Sequence, residues 1–244
     1  MLELFRNLFA PPRHILLLAA AVWIGLTLAE KRAQRHNVGL EDLNNLAFYG
    51  LLGWALGGRL FFILENIEAF IKSPTSAFSI NPNLFDPIGA LAAAFVVALI
   101  YGQSHDLKFW NTLDALTPIF AALFVGAGLA HLASGASFGT ETNLPIGIEL
   151  WNAKRHPTQI YETLAALLTF GFIWQLKAKY TAGLSFLLFS ASAAFWQIIL
   201  QTFRAERTPL FGGVIQEQII AWFVLALCFA AIEVRIQQEK AKHG

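Results

Sequence analysis

The residues best suited to chemistry in this chain interrupt stretches that are otherwise apolar. Arg155-His156-Pro157-Thr158-Gln159-Ile160-Tyr161-Glu162 brings several polar side chains together within two turns at the head of a hydrophobic run. Proline suits a first helical turn, so a helix is expected to open here with His156 at its mouth. Thr158 shares a helical face with Tyr161 and Glu162, three and four residues on, so the run can turn a polar stripe inward. A plain interfacial cap is the other reading. Gly57-Gly58-Arg59 sets an arginine near the middle of a second apolar run. A charge there costs about 2.5 to 3.5 kcal/mol on insertion scales, so it faces protein or water and marks a candidate site, or else it forms a structural ion pair. The adjoining glycines equally suit close helix packing. His131, one turn before Gly135, is a candidate base or a helix-end histidine bonded to a carbonyl. Arg204 closes another run, where snorkelling to the interface is the ordinary explanation. No histidine pair has metal-ligand spacing on one helix, so neither a metal nor a cofactor is expected.

The elements that position these groups are expected to be membrane-spanning helices. Of the 244 residues, 56% are apolar types and only 14% are charged, against about a quarter charged in soluble domains. A span needs about 20 mostly apolar residues, and a lone strand would leave its backbone unpaired in lipid. Seven stretches qualify, approximately His14 to Glu30, Leu46 to Asn66, Phe85 to Gly102, Trp110 to Ser134, Thr158 to Leu176, Ala182 to Phe203 and Gly213 to Val234. The expected fold class is therefore all-α, a polytopic bundle of about seven transmembrane helices forming a single domain over residues 1–244. The formal charge of +1, with its 17 Lys and Arg spread along the chain, carries no nucleic-acid signature. The lone cysteine, Cys228, lies in an apolar run and is expected to pack as a small hydrophobe.

Arg6 and Arg13 precede the first apolar run, but no small-residue cleavage site follows it, so it is expected to be retained as a span. The basic flank Lys31-Arg32 with Arg35 then reads as cytoplasmic. With the N-terminus outside and the C-terminus inside, inner segments hold nine Lys and Arg against seven outside. The longer connections, Ile67 to Leu84 and Gly135 to His156, fall outside, where ordered loops of that length are often functional. Trp110, Trp151, Trp174 and Tyr180 fall near expected span ends.

The string HPTQIYE, from His156 to Glu162, resembles the His-Pro-Ser/Thr-Gln-Leu/Ile-Tyr-Glu motif of the bacterial prolipoprotein diacylglyceryl transferases. Other features of that family follow in the same order: Glu41-Asp42-Leu43, Gly57-Gly58-Arg59-Leu60, Phe109-Trp110 with Leu113-Asp114 and Pro118, the Gly135 to Gly139 segment, and Phe203-Arg204. The resemblance covers roughly Ile15 to Val234. It implies a multi-pass protein of the bacterial inner membrane that transfers a diacylglyceryl group from phosphatidylglycerol to the lipobox cysteine of prolipoproteins, with phospholipid and prolipoprotein signal peptides as partners. Such a reaction needs a thiolate and cationic donors for a departing phosphate. The residues assigned to it are His156, Glu162 and His131 for catalysis, and Arg59, Gln159, Tyr161, Arg204 and Gly139 for substrate binding, in a cavity between the second, fourth, fifth and sixth spans. Registered on Gly135 and Gly139, the family's Arg, two Asn and Glu correspond to Gly128, His131, Ser134 and Ala136, and Ile88 stands at a family His. Two readings stay open: redistributed chemistry, or a non-catalytic lipid- or lipoprotein-binding membrane protein that keeps the fold.

Overall fold

The structure is a computed structural model that describes residues 13–78, 84–176, 181–210 and 215–243, without the side chains of Lys242 and His243. Arg6, Tyr180 and Gly213 lie outside those residues. Each of the seven expected stretches contains a helix: α1 (Arg13–Ala33), α2 (Leu40–Glu65), α4 (Pro87–Ser104), α5 (Phe109–Ser134), α6 (Thr158–Gln175), α7 (Leu184–Gln201) and α8 (Gln216–His243), with a short α3 (Ile67–Lys72) after α2. Six of the described helices have the length and apolar composition to cross a membrane. The long helix outside that set is α6, whose 18 residues include Thr158, Gln159, Glu162, Thr163 and Thr169. These polar residues lower its mean hydropathy, and the fold accommodates them inside: Thr158, Gln159, Glu162 and Thr169 are all buried.

The apolar surface is turned outward. Trp23, Ile71, Ile88 and Phe223 are each more than 60% exposed, while many buried apolar positions are small, such as Ala29, Ala115 and Ala166. This arrangement suits lipid as the surrounding solvent, because small residues let helix backbones approach where burial itself gives little drive.

The described chain divides into two compact units, residues 37–112 and residues 1–36 with 113–244. In the first, α2 packs along α4. A Cβ at Gly57 would overlap that of Ala93, and one at Gly53 would lie 3.0 Å from Val97 Cγ2. Asp86 accepts a bond from the Gly89 amide and Pro87 occupies the first turn, which together start α4.

In the second unit, α1 meets α5 at Gly25, where a Cβ would lie 2.8 Å from Ile119 Cα. Helices α7 and α8 share a core of Ala191, Ala194, Leu225 and Cys228, so the cysteine packs as a small hydrophobe. Two helix ends are satisfied by side chains from elsewhere in the fold. The Asp114 carboxylate of α5 accepts from the Gly183 and Phe186 amides at 2.7 and 2.9 Å, supplying the N-cap that Gly183, at φ 94°, lacks. Arg32 donates to the Ile173 and Trp174 carbonyls at the C-terminal end of α6 and stacks over the Trp174 ring.

The connection from α5 to α6 holds what the all-helical expectation omitted. Strands β1 (Ile148–Leu150) and β2 (Ala153–Arg155) form a hairpin whose turn residues, Trp151 and Asn152, have φ of 54° and 60°, as a tight two-residue turn requires. The other side of β2 pairs with residues 140–142 through Thr142 N to Lys154 O and His156 N to Thr140 O. That segment in turn pairs with residues 203–205 through Thr140 N to Phe203 O and Ala205 N to Phe138 O. A short antiparallel ribbon thus ties the entrance of α6 to the exit of α7.

Candidate active site

Three polar side chains from three elements of the second unit meet at the HPTQIYE helix. Glu162, on the first turns of α6, is 4% exposed at its side chain and lies between His131 of α5 and Arg204 after α7. His131 Nδ1 lies 2.8 Å from Glu162 Oε2, and an Arg204 guanidinium nitrogen lies 3.2 Å from Glu162 Oε1. A carboxylate oxygen of Glu162 can accept from His131 Nδ1, and the tautomer that makes this bond has no proton on Nε2. A buried carboxylate held by two donors in this way is satisfied on both oxygens.

The backbone explains why these groups converge. Gly128 lets α5 close on α6, since a Cβ there would lie 2.8 Å from Thr163 N, and that approach brings His131, one turn further along, to Glu162. Thr158 Oγ1 donates to Ser137 O at 2.6 Å and Gln159 Nε2 to Ala136 O at 3.0 Å, pinning the start of α6 to the segment after α5. Gly139 pairs with Arg204 in an antiparallel bridge. A Cβ at Gly139 would overlap His156 O and lie 2.6 Å from His156 Cβ, so only glycine permits this approach.

His156 stands beside the trio without joining it. Its ring centroid lies 5.2 Å from that of Phe203 and 6.3 Å from that of Tyr161, and its Nδ1 is buried without a hydrogen-bond partner among the described residues. With Leu164, Leu168, Trp196, Ile199 and Leu200 of α6 and α7 and with Leu144 and Ile146, the three rings line an apolar groove of about 450 Å³. Its size falls within the about 300 to 1,000 Å³ of small-ligand pockets. Gln159 is 1% exposed, and its Oε1 has no partner among the described residues.

Two arginines considered from the sequence serve the backbone. Arg155 donates to the Leu150 and Gly139 carbonyls and pairs with Glu141, so it braces the ribbon. Arg59 belongs to the other unit, where its three guanidinium nitrogens donate to Ala77 O, Leu84 O and Ser76 O at 3.1, 2.6 and 2.6 Å. There it anchors the connection between α2 and α4. Ile88, in that same unit, is 79% exposed.

The carbonyls of Ala136 and Ser137, and the close approach at Gly128, had no signal as site-builders in the sequence. A carbonyl partner is invisible to residue type, and Gly128 differs from other helical glycines only through the neighbour it meets. The pairing of His131 with Glu162 was equally hidden, because 31 residues separate them in the chain.

Residues 13–234 match the family model described as prolipoprotein diacylglyceryl transferase. A Clostridium tetani protein named phosphatidylglycerol--prolipoprotein diacylglyceryl transferase is 24% identical over 220 residues, covering 86% of this chain and 88% of that protein. A Nostoc protein of the same name is 23% identical over 237 residues, 89% of this chain and 82% of that protein. One from Coxiella burnetii is 28% identical over 165 residues, 66% of this chain and 63% of its own length. With the family model spanning α1 to α8 and the HPTQIYE helix at the centre of the polar site, the chain belongs to the prolipoprotein diacylglyceryl transferase family of membrane transferases.

Proposed function

We propose that the protein, in a bacterial inner membrane, transfers the diacylglyceryl group of phosphatidylglycerol to the lipobox cysteine of a prolipoprotein. The observation that carries the reading is the contact of His131, Glu162 and Arg204 on the HPTQIYE helix. His131 Nε2 accepts the proton of the cysteine thiol, while Glu162 fixes the ring and stabilises the imidazolium that forms. The thiolate attacks the glyceryl carbon, a carbon–sulfur bond forms, the carbon–oxygen bond to phosphate breaks, and glycerol phosphate departs. Arg204 spends part of its guanidinium on Glu162 and keeps donors for the phosphate oxygens, a role its planar fork suits. Glu162 orients rather than abstracts, because both its oxygens are engaged. His156 and Tyr161, which line the apolar groove, receive the glyceryl region, and the groove accepts an acyl chain.

This places His131 where the family has an asparagine and leaves Arg204 to carry phosphate contacts, so the chemistry is redistributed around the replaced positions. The test is to incubate the purified full chain with phosphatidylglycerol and a lipobox peptide and to look for the thioether by mass spectrometry. A product that needs both the lipid and the peptide cysteine is expected. No product, with a family enzyme active alongside, would favour the non-catalytic lipid-binding reading instead.

A further inference from the structure

A second groove lies between α7 and α8, lined by other residues of α7, and the reaction leaves it unused. Its volume is about 480 Å³, and its walls are apolar, with Phe189, Ala193, Ile220 and Val224 among them. One end is polar. Gln201, 4% exposed, lines it with an Oε1 that has no partner among the described residues. Glu217 lines the same end, where its Oε2 is buried and likewise unpartnered while its Oε1 takes a bond from Thr208 Oγ1 at 2.8 Å. Gln197 and Ser190 continue the polar edge along α7.

Two buried acceptors on residues that line one cavity call for donors, because such atoms in folded proteins are nearly always paired with protein, water or ligand. None of the lining residues is a Lys, Arg or His. A phosphate placed there would meet the Glu217 carboxylate, and the cation that acts on that carboxylate, Arg204, is already paired with Glu162. We infer that this groove binds a second membrane amphiphile, with one hydrocarbon chain along α7 and α8 and a head bearing hydroxyl or ammonium donors at Gln201 and Glu217. A helical peptide is the wrong size, since a helix about 10 Å across rising about 5.4 Å per turn fills this volume with about one turn. The site is separate from the His131, Glu162 and Arg204 contact and does not depend on the transfer reaction. It does touch the segment that carries Arg204, since Thr208, bonded to Glu217, lies four residues beyond it.

The test is native mass spectrometry on the detergent-purified full chain titrated with monooleoylglycerol, sphingosine or oleate. The first offers hydroxyl donors, the second an ammonium, and the third only an anionic acceptor. Monooleoylglycerol or sphingosine should bind at least about tenfold tighter than oleate, and which of the two binds identifies the head chemistry. The pair Gln201→Leu with Glu217→Gln should weaken that binding about tenfold, and Ala193→Phe should abolish it by filling the groove. Ser190→Leu, on the same wall, serves if Ala193→Phe does not yield folded protein. Oleate binding as tightly as the donors, or donor binding that survives the filled groove, would overturn the inference.

Discussion

Glu162 bears the heaviest demand of any single side chain in the site, because it satisfies two donors from a buried position. Glu162→Gln keeps its shape but removes the charge and turns an amide N–H₂ toward one of those donors. Thioether formation should fall by about 100-fold or more, while size-exclusion behaviour stays that of the folded protein. A rate within threefold of the unaltered protein would mean that this contact is structural only. Gly139 makes a different kind of demand. Gly139→Ala drives a Cβ into the His156 backbone, so it should cost about 1 to 3 kcal/mol of stability, read as a lowered melting temperature. The inward face of Thr158 and Glu162 was legible because helical spacing puts them together whatever the tertiary fold. The partner of His131 was not, since 31 residues separate it from Glu162 and only the packing of α5 on α6 joins them.

At the level of elements, helices were readable wherever their apolar runs were long, and the ribbon was not. Its named strands are three residues each, too short for an alternating pattern to stand out. It takes its register from a turn at Trp151 and Asn152, and although Asn favours φ above zero, Trp gives no sign of it. Helix α6 shows the opposite case, because its polar residues lower its hydropathy yet the motif marks its start, with Pro157 as the N-cap rather than inside the first turn. Close packing of α2 on α4 rests on Gly57 meeting Ala93. Gly57→Ala should therefore destabilise the protein by about 1 to 3 kcal/mol, and adding Ala93→Gly should recover much of that loss, measured by thermal unfolding in detergent. Absence of recovery would show that the two positions do not meet.

For the whole molecule, composition alone conveyed the essential inversion, apolar outside and polar within, because a chain with 14% charged residues cannot cover itself for water. Orientation rests on a nine-to-seven bias in basic residues, and it makes a direct prediction. Cys228 is buried, so an added cysteine reports with little background. Asn152→Cys, at the hairpin turn, should react with a membrane-impermeant maleimide in intact spheroplasts, and Gln237→Cys, near the end of α8, only after permeabilisation. The reverse pattern would invert the topology. The central claim, that His131 is the base of a diacylglyceryl transfer, is tested most directly by the rate of thioether formation from phosphatidylglycerol and a lipobox peptide by His131→Gln, compared with the unaltered chain. A fall of about 100-fold or more with the protein still folded is the predicted result. A rate within twofold would contradict it.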